Sequence, residues 1–320
     1  MNDKGKSKNR LEAKVQSYID GYSYEKLIEL LGTIYEDATI HGCTQKQFLH
    51  ALEKSEPYGR KCFGTTRANT ECDYKFLGEM CTYLKKVKKL YRSSLIDLVA
   101  DRIAGRTFNF NEHLRGLLYS QLSAQTEWVR IVPHLPEIDD LFWGYDAEKI
   151  FEHSAQHYIE GIMNLKCGSR CTARQMTKLH ENISIMKSIE AKFGSMDTYV
   201  TSADPRSIVN DLSHGEHKLF MVGPALAWEY LRNVGIDGAK PDVHVCRFFG
   251  SDRLGFVNRP VATTDEAIEI IMDMSLRTNL TMVEIDNIIW SFCASSFGEI
   301  CGATPKCNQC VIRDHCRKRN

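Results

Sequence analysis

Apolar residues recur at helical spacing along most of this chain, and short polar or glycine-containing stretches divide the pattern into segments. Tyr24, Leu27, Ile28, Leu31 and Tyr35 form one stripe, and Thr44 caps a second carrying Phe48, Leu49 and Leu52. Residues 56–74 interrupt the pattern and predict a loop, with Arg60, Lys61 and Arg67 either near phosphates or simply solvated. A helical stretch follows over 75–104, basic around Lys85, Lys86, Lys88 and Lys89. From Phe110 the residues Leu114, Leu117, Leu118, Leu122 and Val129 predict a helix with one buried face. Amphipathic helices continue over 147–202, one closed by Phe193-Gly194, and Ser202 to Pro205 leads into another. Helices over 264–276 and 281–300 complete the pattern, the last carrying Ile285, Ile288, Ile289 and Phe292. Alternating β-branched runs are few. The pattern therefore predicts an all-α protein.

The stretch Leu219–Arg247, LFMVGPALAWEYLRNVGIDGAKPDVHVCR, is the most informative. Gly223-Pro224 is expected to end one helix and begin the next, whose apolar positions are Leu226, Ala227, Tyr230, Leu231 and Val234. That predicts a tight hairpin, whose amides at the second helix's N-terminus suit a phosphate oxygen; a plain turn is the other reading. Past Gly235, Gly238 and Lys240-Pro241, Asp242 stands at a fresh helix start. It is either an N-cap or a functional carboxylate.

Composition adds limits. The chain has 320 residues, 43% hydrophobic and 26% charged, which is long enough for two domains with cores. The start, MNDKGKSKNR, has no apolar segment behind it, and no apolar run approaches the roughly 18 residues of a membrane span. An intracellular protein is expected, cytoplasmic in a bacterium and nuclear in a eukaryote. Charge is balanced at 41 Lys/Arg and 41 Asp/Glu but segregated. Residues 1–105 hold 18 basic against 14 acidic side chains, 301–320 hold 5 against 1, and the middle holds 18 against 26. Nucleic acid, if bound, would meet local basic patches and backbone amides rather than a general field.

Of 12 cysteines, four fall in the order Cys301, Cys307, Cys310, Cys316, a C-x5-C-x2-C-x5-C loop. Such a closed run of thiols suits a metal centre. Zinc commonly takes two Cys-x2-Cys knuckles, and this loop has one; an iron–sulfur cubane accepts four thiolates from such a run, and the residues alone leave both readings open. The scattered remainder, Cys167 and Cys171 included, are expected to be free thiols.

Hairpin, Asp242-x-His244-Val245-x-Arg247 and terminal cysteine loop, in that order and distance, resemble the helix-hairpin-helix DNA glycosylases of the iron–sulfur, endonuclease III-like branch. The resemblance covers about residues 86–320. It implies an all-α bilobal fold: an N-terminal helical extension over 1–85, a cluster domain from 86–105 plus 237–320, and a six-helix barrel over 106–236. It implies a [4Fe-4S] cluster on Cys301, Cys307, Cys310 and Cys316, and double-stranded DNA with a damaged or modified base as the partner of a monomer. Asp242 takes the place of the catalytic carboxylate, which stabilises the cationic sugar as the base departs. Gln125, within Ser123-Ala124-Gln125-Thr126, takes that of the residue filling the gap left by a flipped nucleotide. Met221, Val222, Gly223 and Ala225 of the hairpin, with His244 and Arg247, take DNA-contacting places.

Four departures shape the expected reaction. Met221 replaces the first hairpin glycine. Ala225 stands where lyase-competent relatives carry their lysine, so water is expected as the nucleophile, with Lys218 and Lys240 as the alternative amines. Ser120 stands where adenine-specific relatives carry a glutamate. The first cysteine gap is five residues rather than six. A DNA-binding or damage-sensing protein without catalysis is the competing class. Purified anaerobically, the chain is expected to be yellow-brown with about four iron and four sulfide per molecule; stoichiometric zinc and no visible absorbance would overturn the cluster expectation.

Overall fold

The computed structural model describes residues 74–317 apart from Arg92 and Asn279. The stripes expected over 11–55, the loop cations Arg60, Lys61 and Arg67, and Lys318 and Arg319 lie outside the described residues. By contacts the chain divides into two compact units, 1–75 and 76–320. Helix α1, Lys75–Lys86, buries Phe76, Leu77, Met80 and Leu84. Phe76 meets Phe248 and Phe256, both at 6.3 Å between ring centroids, and Tyr83 meets Phe292 at 6.1 Å. The helical stretch predicted over 75–104 is broken near Lys88, whose φ is +54°, before α2, Ser94–Ile103, begins.

Among the described residues there are helices and turns and no strands. None of those helices is long and apolar enough to cross a membrane. Residues 106–236 divide more finely than six helices: α3 Phe110–Leu122, α4 Trp128–Ile131, α5 Leu135–Leu141, α6 Ala147–Phe151, α7 Ala155–Asn164, α8 Thr172–Thr177, α9 Leu179–Phe193, α10 Met196–Val200, α11 Pro205–His214 and α12 Pro224–Asn233. Beyond them lie α13 Val243–Phe248, α14 Thr264–Arg277 and α15 Met282–Cys293. Reciprocal capping boxes start α3 (Asn109, Glu112), α14 (Thr263, Glu266) and α15 (Thr281, Glu284), each satisfying helix-end donors that would otherwise lack partners.

Helix α3 packs most extensively on α12. Leu114, Leu117, Leu118 and Leu122 are all buried, and each contributes about 1.5–3 kcal/mol in transfer from water. Close approach depends on Gly116, where a Cβ would stand 3.2 Å from Asn233 Cβ and from Val234 Cγ1. Asn233 Nδ2 donates to the Gly116 carbonyl there, at 3.0 Å.

A polar network ties α2, α3, α10 and α12. Arg102 donates to Asp197 at 2.5 Å, and the fully buried His113 lies 3.3 Å from Asp197 Oδ1 and 2.7 Å from the Tyr230 hydroxyl. A carboxylate only accepts, so His113 Nε2 carries the proton and Nδ1 accepts from Tyr230. Burial alone pushes the Asp197 carboxyl up, but the hydrogen bonds from His113 and Arg102 outweigh it and bring it down to about 2. Burial pushes His113 below the ordinary histidine value. Both groups are depressed in the folded chain. Their contribution is therefore complete above the ordinary values of 6.5 and 3.8, and is lost as pH falls through the depressed ones. Asp197→Asn, which leaves Arg102 and His113 without their anion, should cost about 3 kcal/mol at pH 7. Urea unfolding from pH 7 down to pH 2 checks it: the wild-type chain should lose stability between about pH 4 and pH 2, and the variant should lose less across that range.

Candidate active site

The hairpin differs from its expected form. Helix α11 ends at His214, so residues 215–223 connect it to α12, and Leu219–Val222 are a turn rather than helix. His217 and Asp211 cause the early end: the Asp211 carboxylate accepts from the His217 amide at 3.2 Å and pairs with its ring at 2.6 Å. The connection is then clamped at Phe220. Its amide donates to Asn182 Oδ1 at 2.7 Å, and its carbonyl accepts from Asn182 Nδ2 at 3.0 Å and Gln121 Nε2 at 3.3 Å. Met221 takes φ +60°, the left-handed conformation that favours glycine, at the position where the family pattern has one. Val222 is buried, while Gly223 is exposed with extended backbone and has open space where a Cβ would stand. Pro224 brings no N–H and Ala225 is half-buried, so the α12 N-terminus faces outward without a side-chain cap.

Beyond α12 the chain turns at Lys240-Pro241-Asp242, where the Asp242 amide donates to the Lys240 carbonyl at 2.7 Å. Asp242 caps α13: Oδ1 accepts from the amides of His244 at 2.8 Å and Val245 at 3.1 Å. The N-cap reading is therefore correct, and it leaves Oδ2 with no hydrogen bond from any described residue. Asp242 is half-buried, and Val243 beside it is 61% exposed. Arg247 Nη2 donates to His244 Nδ1 at 3.3 Å, while Arg247 Nε is buried with no partner. Burial holds His244 below the ordinary value, with Asp242 opposing and Arg247 reinforcing that shift.

Two carboxylates and an arginine that the sequence patterns did not single out stand behind this turn. Asp286 Oδ1 accepts the Lys240 amide at 3.2 Å, and Oδ2 pairs with Arg232 Nη2 at 2.9 Å. Arg232 Nη1 donates to Glu229 Oε2 at 3.0 Å, and Glu229 Oε1 lies 3.9 Å from Lys240 Nζ. The available signal was Glu229 and Arg232 three apart on an apolar helix, and Asp286 among isoleucines.

Lys240 Nζ also donates to Ser123 Oγ at 2.8 Å, just past the end of α3. That bond joins the Asp242 turn to the segment carrying Gln125. Gln125 is exposed with φ +58°, and its Oε1 accepts from Arg170 Nε. Ser120 donates to the Leu226 carbonyl at 2.6 Å, so the end of α3 also touches the first turn of α12. Hairpin, Gln125 segment and Asp242 turn thus meet around one helix end. Lys218 is exposed on the 215–223 connection.

Cys301 is buried, and Cys307, Cys310 and Cys316 are half-buried. Burial pushes Cys310 up to about 11, and Cys301, Cys316 and Cys307 all add to that electrostatically. Among the described residues no group of three or more His, Cys, Asp or Glu is placed to hold a metal ion. Arg253 is 7% exposed with Nε buried and unpartnered, and its carbonyl accepts from Cys316 Sγ at 3.1 Å. A hydrogen bond from Cys293 holds the Cys301 thiol low against burial, and Arg253 helps. Cys301 and Cys316 thus lie beside Arg253, whose guanidinium is buried with Nε unpartnered, and a buried cation beside thiolate donors suits an anionic cluster.

Two solved structures of an 8-oxoguanine DNA glycosylase from Methanocaldococcus jannaschii are similar to this chain. The first is 21% identical with a TM-score of 0.45, covering 68% of this chain and 96% of that one. The second, an 8-oxoguanine glycosylase/lyase in complex with 15mer DNA containing 8-oxoguanine, is 21% identical with a TM-score of 0.42, covering 66% and 96%. No family profile and no curated protein match. A likeness of this degree decides nothing about activity.

Met221 supplies the test of the hairpin. Met221→Gly should leave stability unchanged or raise it by up to about 1 kcal/mol, and Met221→Val, β-branched at a left-handed position, should lower it by about 1–2 kcal/mol. Urea midpoints of the two variants measure this.

Proposed function

We propose that the protein is a monofunctional DNA glycosylase that flips a damaged or modified nucleotide from duplex DNA and hydrolyses its N-glycosidic bond. The observation carrying this reading is the Lys240–Ser123 hydrogen bond, which joins the Gln125 segment to the turn bearing Asp242. In this reading the outward amides after Gly223 take a backbone phosphate, and Gln125 enters the vacancy left by the flipped nucleotide. Asp242 is held by two amides on Oδ1 and offers Oδ2 to the sugar, where it stabilises the positive charge growing at C1′ as the base leaves and orients the attacking water.

Water as the nucleophile is supported by Ala225 at the place of the lyase lysine and by the engagement of Lys240, whose Nζ donates to Ser123 and lies 3.9 Å from Glu229. A [4Fe-4S] cluster held by Cys301, Cys307, Cys310 and Cys316 would close the loop after α15 and hold its basic side chains in place. Arg253, which follows α13 in the chain, would face its charge, while Lys306, paired with Glu299 at 2.8 Å, is exposed.

Duplexes bearing different modified bases, treated with hot alkali after incubation, reveal released bases as strand breaks. Asp242→Asn should abolish release while duplex binding survives, and full activity in that variant would refute the assignment. Borohydride should trap no adduct; a covalent enzyme–DNA species, lost in Lys240→Ala, would show lysine rather than water as the nucleophile.

A further inference from the structure

Lys240 is held at both ends. Its amide is fixed by Asp286 and its ammonium by Ser123, with Glu229 alongside, while Arg232 links Glu229 back to Asp286. The result is a closed ring of charges behind the turn. Asp286 is 3% exposed, Arg232 5% and Glu229 9%. Burying such groups is costly unless each is paired, which disfavours arrangements that break the ring. Pro241 follows Lys240 and has no N–H, so the Lys240 amide is the donor through which α15 can grip the turn just ahead of Asp242. The Asp242 amide in turn donates to the Lys240 carbonyl, which makes the direction of Asp242 follow that of the Lys240 peptides.

We propose that Asp286 is the positioning residue of the site, holding the Lys240–Pro241–Asp242 turn through the Lys240 amide while Arg232 anchors its other oxygen. The catalytic consequence rests on the glycosylase reading; the mechanical one does not. The inference also carries a pH dependence. The charged groups acting on Asp286 are Arg232 and Glu229 of α12 and Asp242 at the start of α13, with the Lys240 amide from the turn. Asp237 acts on Arg232. Of the other helices packed on α15, α2 directs Arg102 to Asp197 and α14 pairs Arg277 with its own Asp273. Asp286, Glu229, Asp242 and Asp237 are four carboxylates in this set, against the two cations Arg232 and Lys240. Burial is the main cause raising Asp286, to about 7; Asp242 and Glu229 add to it, and Arg232 and the Lys240 amide oppose it. Below that pH the Arg232 pair loses its anion and the grip on the turn weakens.

The test has two arms on the full-length protein. Hydrogen–deuterium exchange of the peptide spanning 236–242, corrected for the intrinsic pH dependence of exchange, needs no substrate. In the wild type its protection should fall several-fold as pH drops from 8 to 6, and in Asp286→Asn it should be low at both. Equal protection in wild type and variant at pH 8 would overturn the proposal. In the second arm, base release from duplexes carrying uracil, hypoxanthine, 3-methyladenine or 8-oxoguanine is followed from pH 6 to pH 8.5. The wild-type rate should rise about tenfold across that range, and Asp286→Asn should be slow and flat; a variant slowed equally at every pH would show a merely structural role and refute the assignment. If Asp286→Asn does not fold, Glu229→Gln takes its place. Removing that neighbouring negative charge should move the midpoint of the wild-type exchange profile to lower pH, and an unmoved midpoint would refute the proposal. If the wild type releases no base, the glycosylase reading fails while the exchange arm still decides the role of Asp286.

Discussion

Everything at the candidate site hangs on the close contact of α3 with α12. Helix α12 begins at the hairpin and leads at its other end to the Lys240–Asp242 turn, while α3 ends beside Ser123 and Gln125. Once Gly116 lets the two helices close, with Asn233 bonded to its carbonyl, the three segments can hold only small displacements relative to one another. Ser120 on the Leu226 carbonyl and Gln121 on the Phe220 carbonyl then fasten the end of α3 to both sides of the α12 N-terminus. A Cβ at position 116 would meet Asn233 and Val234 at 3.2 Å, so both neighbours would have to give by a few tenths of an ångström.

The same contact explains why charge is buried there. Arg232, Glu229 and Asp286 occupy space that apolar side chains could fill at lower desolvation cost, so the ring they form is poor evidence of stabilisation. What it provides is direction: each group accepts few geometries, and together they hold both ends of Lys240. Asp242 lies in a different setting, half-buried, with one oxygen on helix amides and the other open. Two nearby carboxylates thus have separate circumstances, one enclosed and one half-buried. That division suits a positioning acid behind a reacting one.

The terminal thiol loop is tied to the same framework from behind. Helix α13 packs on α15, which delivers the chain toward Cys301, and Arg247 of α13 acts electrostatically on the Cys301 and Cys293 thiols. Helix α1 closes this side, its Phe76 and Tyr83 meeting rings of α13 and α15. The carboxylate turn and the thiol loop therefore share one packed layer, and a change in the loop has a short mechanical route to Asp242.

Helical class and the start of α12 at Gly223-Pro224 could be read from residue order, because spacing and proline act over three or four neighbours. Asp242 at a helix start was legible for the same reason. Its two readings were not alternatives, since one oxygen serves as the cap and leaves the other open. The expected tight hairpin was missed because Asp211 and His217 end α11 early, through a side-chain contact that spacing does not reveal. The place of α1 was also settled late, since the helical stretch over 75–104 was read without its buried face, and rings from α13 and α15 cover it. Asp286 was hidden altogether. A lone acid among isoleucines looks like noise until folding brings Arg232 and the Lys240 amide to its two oxygens. Partners far apart in the chain meet only through packing, so local order wrote the helices and the packing of α3, α12 and α15 made the site.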